Sequence, residues 1–385
     1  MKIWILSSGY FPDGSTEEAG YLRTFTRLAA AAGHDVTVVG PGGRDGLQEL
    51  APGCRLLTFR PRLEEARQVV EPGEPDAHPG WPWNNMAPDA ALSHQLAGAL
   101  EQLAEREGPP EIIECPDAGA PGYAFLHRRL VGMGPLGGVP VVLHLHGPRF
   151  LFQGPAQEMR WKLPDYWTGR MEKASLCMAD ALLTPSRLLA LEVQKHMDGP
   201  LGKGKVVPYH FGVDGLTGDP PPGKPGRLVY SGIIGLRQGL DPLLAACEAL
   251  WRDGAGFSLD VIGEDAPTPL KGGSLTASLE RRYAKRVGEG RLFFSGPLGE
   301  RERRERLRAA TAVVAPGLLE GFSHACAEAM ALGKVVVAHR ATGTGEMAGE
   351  NGLTAYLFSH DNPGSLQGAL RAVLGLSEAE RRRIG

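Results

Sequence analysis

No stretch of about 18 consecutive apolar residues occurs in this 385-residue chain, so it offers no candidate for a membrane-spanning helix. Cysteine is sparse: Cys54, Cys115, Cys177, Cys247 and Cys326 are scattered, odd in number and never spaced C-x-x-C. That excludes a disulfide framework or a zinc ribbon, and a reduced, cytoplasmic protein is expected. Basic excess is also missing. The formal net charge is -3, which argues against a nucleic-acid partner. The one Arg-rich run, residues 301–308, mixes both signs and reads as a solvated helix face, with peripheral membrane contact the weaker alternative. There is no G-x-G-x-x-G fingerprint after the first strand, which counts against a dehydrogenase. No Ser-His-Asp set, metal motif or covalent nucleophile is evident. The start, Met1 to Leu6, is too short an apolar run for a signal peptide and reads as a first strand.

What is present is an alternation of strands and helices. Its clearest part is Leu319 to Gly333. Before it, Thr311-Ala312-Val313-Val314-Ala315-Pro316 is a short β-branched run, the pattern of a buried parallel strand. Ser323 is a good N-cap, Ala325 to Leu332 are helix formers, Gly333 stops the helix and Val335 to Ala338 is the next strand. The stretch is therefore a turn at the carboxyl end of a parallel strand, where such sheets bind ligands, and its helix start favours a phosphate. The same alternation runs through the rest. Lys2–Leu6, Asp35–Gly40, Glu111–Cys115 and Pro140–Gly147 read as strands. A helix after residue 20 shows Leu22, Phe25, Leu28 and Ala32 on one face, and residues 90–106 show Leu92, Leu96, Leu100 and Leu103. Residues 71–89, bearing Trp81 and Trp83, read as irregular: an insertion beside an acceptor or a surface loop. Residues 214–227, with four prolines and no periodicity, read as a linker. After it, Leu228–Gly232, Ser258–Gly263 and Leu292–Phe294 restart the strands.

Glu320-Gly321-Phe322, five residues, then Glu328-Ala329-Met330-Ala331-Leu332-Gly333 resembles the E-x7-E motif of retaining glycosyltransferases of family 4, among the group 1 glycosyl transferases. Ala179 to Ser186, Lys205 to Asp214, Thr342 to Glu346 and Asn351 to Ala355 resemble further segments of that family. The resemblance implies an α/β GT-B fold: two Rossmann-like domains with parallel sheets facing across a deep cleft. Residues 1–213 would bind the acceptor and 228–385 the nucleotide sugar, a UDP- or GDP-sugar for instance, with no metal. It implies donor binding by Gly14, Gly232, Arg237, Glu320, Gly321, Phe322, Ser323, His324 and Glu328, with Glu320 at the sugar and Glu328 at the ribose. Catalytic roles fall on His146, Glu320 and Arg237. Acceptor contacts fall on Asp13, Trp81, Trp83, Arg149 and Trp161. The expected activity is sugar transfer to an acceptor hydroxyl of a small molecule, natural product or glycan. The alternatives are a GT-B protein that binds without turnover and, more weakly, a GT-B nucleotide-sugar epimerase.

Two departures matter. Where the family has G-R-L-x-x-x-K-G, this chain has Gly232 to Gly239, with Ile233 in the Arg place and Gln238 in the Lys place. Losing one such charge costs about 3 kcal/mol, or roughly 10²–10³ in rate. Arg237, one residue early, Lys271 or Lys334 is expected to compensate. Family members also continue with a helix that crosses back to the first domain, whereas Arg383-Ile384-Gly385 reads as the start of one.

Overall fold

The computed structural model describes residues 1–9, 17–61, 87–152, 163–201, 204–207, 226–266 and 273–385. The chain forms two compact units, and the described residues fall within 1–207 and 226–385. Of the expected linker only Gly226 and Arg227 are described, and Arg227 already opens a strand.

The first unit is built on strands β1 (Lys2–Leu6), β2 (Asp35–Pro41), β3 (Gly46–Ala51), β4 (Cys54–Phe59), β5 (Ile112–Pro116), β6 (Val141–His144), β7 (Ala181–Thr184) and β8 (Gly204–Val206). They lie in the order β3-β4-β2-β1-β5-β6-β7-β8. Every pairing is parallel except β3 with β4. Trp4, Ile5 and Leu6 of β1 are buried on both faces, as a central parallel strand requires. Helix Pro88–Glu107 opens on a proline in its first turn and buries Leu92, Leu96, Leu100 and Leu103, as the period predicts.

Helix Glu17–Ala31 sits differently from expectation. Leu22 is buried but Leu28 is 38% exposed; Tyr21, Thr26 and Ala29 are inside instead. The Tyr21 hydroxyl reaches Glu114 on β5, and this polar anchor turns the helix about one residue away from the all-apolar stripe. The antiparallel strand β3 is polar and largely exposed, so it carries no periodic signal and was not expected.

The second unit has β9 (Arg227–Ser231), β10 (Ser258–Ile262), β11 (Leu292–Gly296), β12 (Ala312–Ala315), β13 (Val335–His339) and β14 (Tyr356–Phe358), all parallel, in the order β11-β10-β9-β12-β13-β14. Successive side chains go to opposite faces. Val314, Val335 and Val337 pack with Leu243, Leu250 and Leu370 on one face. Val313, Val336 and Ala338 pack with Cys326, Ala329 and Leu332 on the other. The last helix, Glu378–Ile384, starts at a capping box of Ser377 and Glu380, and Ile384 packs into the core. The capping box starts this helix at Glu378, earlier than the sequence reading placed it. This is a two-domain α/β fold whose sheets are parallel but for the β3 edge strand.

Candidate functional site

In the second unit the strand order reverses between β9 and β12, and ligands bind such sheets outside the carboxyl ends at that point. Two loops meet there. The Leu318 amide donates to the Arg237 carbonyl at 2.8 Å, and Arg237 Nη1 donates to the Leu319 carbonyl at 3.4 Å. Gly239 has φ 71°, and a Cβ there would lie 1.9 Å from the Pro316 carbonyl oxygen. Only glycine lets the loops approach so closely. From the far side, His360 Nε2 donates to the same Pro316 carbonyl at 2.8 Å.

The β12 loop then becomes helix His324–Ala331. Ser323 is extended, and its Oγ accepts the Cys326 amide at 3.4 Å. Ala327 bonds back to the Ser323 carbonyl, so the Ala325 amide lies ahead of the ladder at the helix start. The Phe322 ring stands edge-on to His324, with centroids 5.1 Å apart. Glu320 is half-buried; its Oε2 accepts from Thr344 Oγ1 at 2.5 Å and its carbonyl from the Gly343 amide at 2.7 Å. The structure thus brings Glu320 to Ser323, Arg237 and the Thr342–Thr344 segment into one cluster.

Glu328 lies deeper. It is buried, with Arg303 across both its oxygens (Nη2 to Oε1, 2.7 Å) and Arg304 Nε 3.6 Å from Oε1. Both arginines belong to helix Glu300–Arg308, which is therefore not a uniformly solvated face. Arg306 also turns inward, 2.8 Å from the buried Asp260. Burial raises the Asp260 pKa, but Ser295, Arg227 and Arg306 outweigh this and hold it below the usual carboxylate range. Buried carboxylates need such partners.

Of the expected compensating charges, Arg237 is at the site. Lys334 is not: it precedes β13, at the amino end of the sheet, where burial and then Arg381 and Arg382 depress its ammonium. Ile233 is 49% exposed and Gly232 exposed at the mouth of the β9 loop. Lys271 lies outside the described residues.

In the first unit, His146 follows the carboxyl end of β6. Its ring stacks on His144 at 4.5 Å, and Tyr21 stands edge-on to both, at 5.4 and 4.6 Å. Behind them Glu114 Oε1 lies 3.1 Å from both the Tyr21 hydroxyl and His144 Nδ1. Burial, then Glu114, pushes the Tyr21 phenol well above its ordinary value, so it remains a donor. The His146 and Gly147 amides donate to Asp117, at 2.9 and 3.0 Å. Arg149 Nη1 is tethered to Asp89 at 2.7 Å, as is Thr168 Oγ1 at 2.8 Å. Asp13, Gly14, Trp81, Trp83 and Trp161 lie outside the described residues.

Sequence reasoning missed Tyr21, Glu114, Asp117, Glu172, Asp89 and Arg303. Asp117 carried a signal: an acidic residue just past a strand end, where parallel sheets present ligand-binding side chains. Glu172, inside helix Leu163–Met178, carried none.

Comparison with known proteins bears on the fold and the class. Residues 19–210 match the family model "Glycosyl transferase 4-like domain" and residues 219–385 match "Glycosyl transferases group 1". No curated protein matches the chain. The chain is similar in structure to sucrose-phosphate synthase from Thermosynechococcus elongatus, with a TM-score of 0.74 at 20% identity, over 100% of this chain and 92% of that one. It is similar to the catalytic domain of starch synthase IV from Arabidopsis thaliana, bound to ADP and acarbose, with a TM-score of 0.69 at 14% identity, over 100% and 94%. It is also similar to the UDP-forming α,α-trehalose-phosphate synthase from Burkholderia xenovorans, in complex with glucose-6-phosphate, with a TM-score of 0.65 at 15% identity, over 99% and 94%. At these identities the likeness carries the fold, while the two family models in tandem carry the class. The chain belongs to the GT-B glycosyltransferases, pairing a glycosyl transferase 4-like domain with a glycosyl transferases group 1 domain.

Proposed function

We propose that this chain is a retaining, family 4-like transferase that moves a sugar from a nucleoside-diphosphate sugar to an acceptor hydroxyl. The observation that carries this reading is the meeting of the β9 and β12 loops at the point where strand order reverses, with Arg237 bonded across to Leu319 and a capped helix start beside Glu320. A departing diphosphate needs fixed positive charge and aimed amides where its own charge grows. Arg237 and the amides of Gly321 to Ala325 supply both. Glu320, oriented by Thr344, takes the donor sugar hydroxyls. Glu328 reaches a ribose only by sharing its carboxylate with Arg303. His146 and Arg149 take the acceptor in the first unit, with Asp13, Gly14, Trp81, Trp83 and Trp161 completing the two substrates' contacts. The acceptor hydroxyl attacks the anomeric carbon on the face that the diphosphate leaves, its proton passing to the departing diphosphate oxygen as that bond breaks, which preserves the anomeric configuration.

Similar structures hold ADP, or are named UDP-forming and hold glucose-6-phosphate. A UDP- or ADP-sugar is accordingly the first donor to offer, and a sugar or sugar phosphate the first acceptor. A panel of nucleoside-diphosphate sugars, scored by release of nucleoside diphosphate, tests the reading. Release that falls with Glu320→Ala and with Arg237→Ala supports it; no release from any donor rejects it.

One observation favours a second reading, binding without turnover: Ile233, half exposed, and Gln238 stand where the family resemblance expects Arg and Lys. Calorimetric binding of a nucleoside diphosphate with no turnover of any sugar donor would select it.

A further inference from the structure

Two carboxylates hold the loop that bears His146, and no step of the transfer uses them. Asp117, just past β5, is fully buried. Its Oδ1 accepts from the amides of Ala118 at 2.8 Å and His146 at 2.9 Å, and its Oδ2 from Gly147 at 3.0 Å. Glu172, on helix Leu163–Met178, is equally buried. Its Oε1 accepts from Gly119 at 2.9 Å and Arg149 at 3.0 Å, and its Oε2 from Phe150 at 3.1 Å. Backbone amides from the loops after β5 and β6 thus converge on two side chains. Among the described residues neither carboxylate forms an ion pair with an arginine or lysine, and the Arg149 side chain goes to Asp89 instead. The loop after β5 also carries Ala120, which at φ 49° is the one non-glycine with positive φ among the described residues. Backbone held in sparsely populated conformations by surrounding bonds is the pattern of a functional site.

We propose that Asp117 and Glu172 are positioning residues for the transfer: as carboxylates they fix residues 146–150, and with them the His146 ring, for the acceptor. This rests on reading His146 as the acceptor-side residue. With amides donating to both oxygens of each group, the ionised form is favoured, because protonation turns one oxygen into a donor, and this makes the clamp sensitive to pH. The titratable groups facing it are His144 on β6, Cys115 on β5 and each carboxylate the other. Burial pushes Asp117 up to about 6 and Glu172 up to about 7, against the pull of the amides. Because both values are raised, the stability these groups contribute is fully present below the ordinary carboxylate range and is lost as pH rises through about 6 and about 7. Activity runs the other way and appears as they ionise. A clamp that lowers stability in the pH range where it works is understandable as a positioning device.

The test uses the whole chain. Asp117→Asn keeps the shape but turns an NH₂ toward amide donors, and Glu172→Gln does the same at the second site. For each, kcat/KM in sugar transfer is expected to fall about 10²-fold, mostly in kcat, as misplacement of a reacting group does. The acid limb of the wild-type profile, between about pH 6 and 7, is expected to change shape with them. Affinity for nucleoside diphosphate, which the proposed function assigns chiefly to Arg237 and the β12 loop, is expected to stay as in wild type. Amide hydrogen exchange over residues 145–150, corrected for intrinsic pH effects, is expected to speed up in Asp117→Asn while β9 keeps its protection. Wild-type kcat and pH profile in both variants, or wild-type exchange over 145–150, would overturn the proposal. Should the wild-type chain release nucleoside diphosphate from no donor, the transferase reading fails instead, and the exchange comparison still decides the clamp.

Discussion

Glu320 and Arg237 are the two side chains on which the donor chemistry turns, and their settings differ. Glu320 accepts a short hydroxyl bond from Thr344, whereas the Arg237 carbonyl accepts the Leu318 amide and its Nη1 donates to the Leu319 carbonyl at 3.4 Å. Replacing either with Ala is expected to lower kcat by about 10²–10³, the usual loss when a preorganised contact to developing charge is removed. A steady-state assay of nucleoside diphosphate release measures it. The converse substitutions, Ile233→Arg and Gln238→Lys, put fixed charge at the mouth of the β9 loop and are expected to raise kcat; unchanged or lower turnover would show that Arg237 already suffices. Glu320, Ser323 and His146 were legible in the sequence because strand end, cap and loop each leave a mark in residue type. The partner of Glu328 was not. An Arg-rich helix with both signs looks the same whether its arginines meet water or, like Arg303, a buried carboxylate.

At the scale of elements, the β12 loop and its helix are fixed by contacts that differ in how replaceable they are. Ser323→Ala removes one cap bond and is expected to cost about 1 kcal/mol in denaturant unfolding. Gly239→Ala meets the Pro316 carbonyl at 1.9 Å from a left-handed backbone and is expected to cost more than the cap while also lowering donor affinity. Arg303→Ala leaves Glu328, 5% exposed, with Arg304 at 3.6 Å as its remaining ion-pair partner among the described residues. Breaking a buried pair from one side costs about 3 kcal/mol, so a clear drop in the unfolding midpoint is expected. Strands β12 and β13 were readable as β-branched apolar runs because both their faces are buried. Strand β3 was not, being polar and antiparallel at an edge, and the face of helix Glu17–Ala31 was misread because a buried tyrosine hydroxyl outranks a leucine at its position.

For the whole molecule, acid pH pulls on more than one group. As pH falls, the carboxylates of Asp117 and Glu172 return stability. His94, depressed by burial and then by Arg128 and His127 to about 4, takes it away below its ordinary value, because folding disfavours its charged form. The difference in melting temperature between wild type and Asp117→Asn, followed across pH, isolates one contribution, and it is expected to change through about pH 6. The division into two α/β units was readable from a strand–helix alternation that restarts after a proline-rich stretch. The clamps within the first unit were not, since they join residues far apart in the chain, such as Asp117 with His146 and Gly119 with Glu172. The most direct measurement is NMR of the product formed from an α-configured nucleoside-diphosphate sugar and a sugar acceptor, with Glu320→Ala alongside. The expected result is an α-linked product and free nucleoside diphosphate, both strongly reduced in the variant. A β-linked product, or equal turnover by wild type and Glu320→Ala, would contradict it.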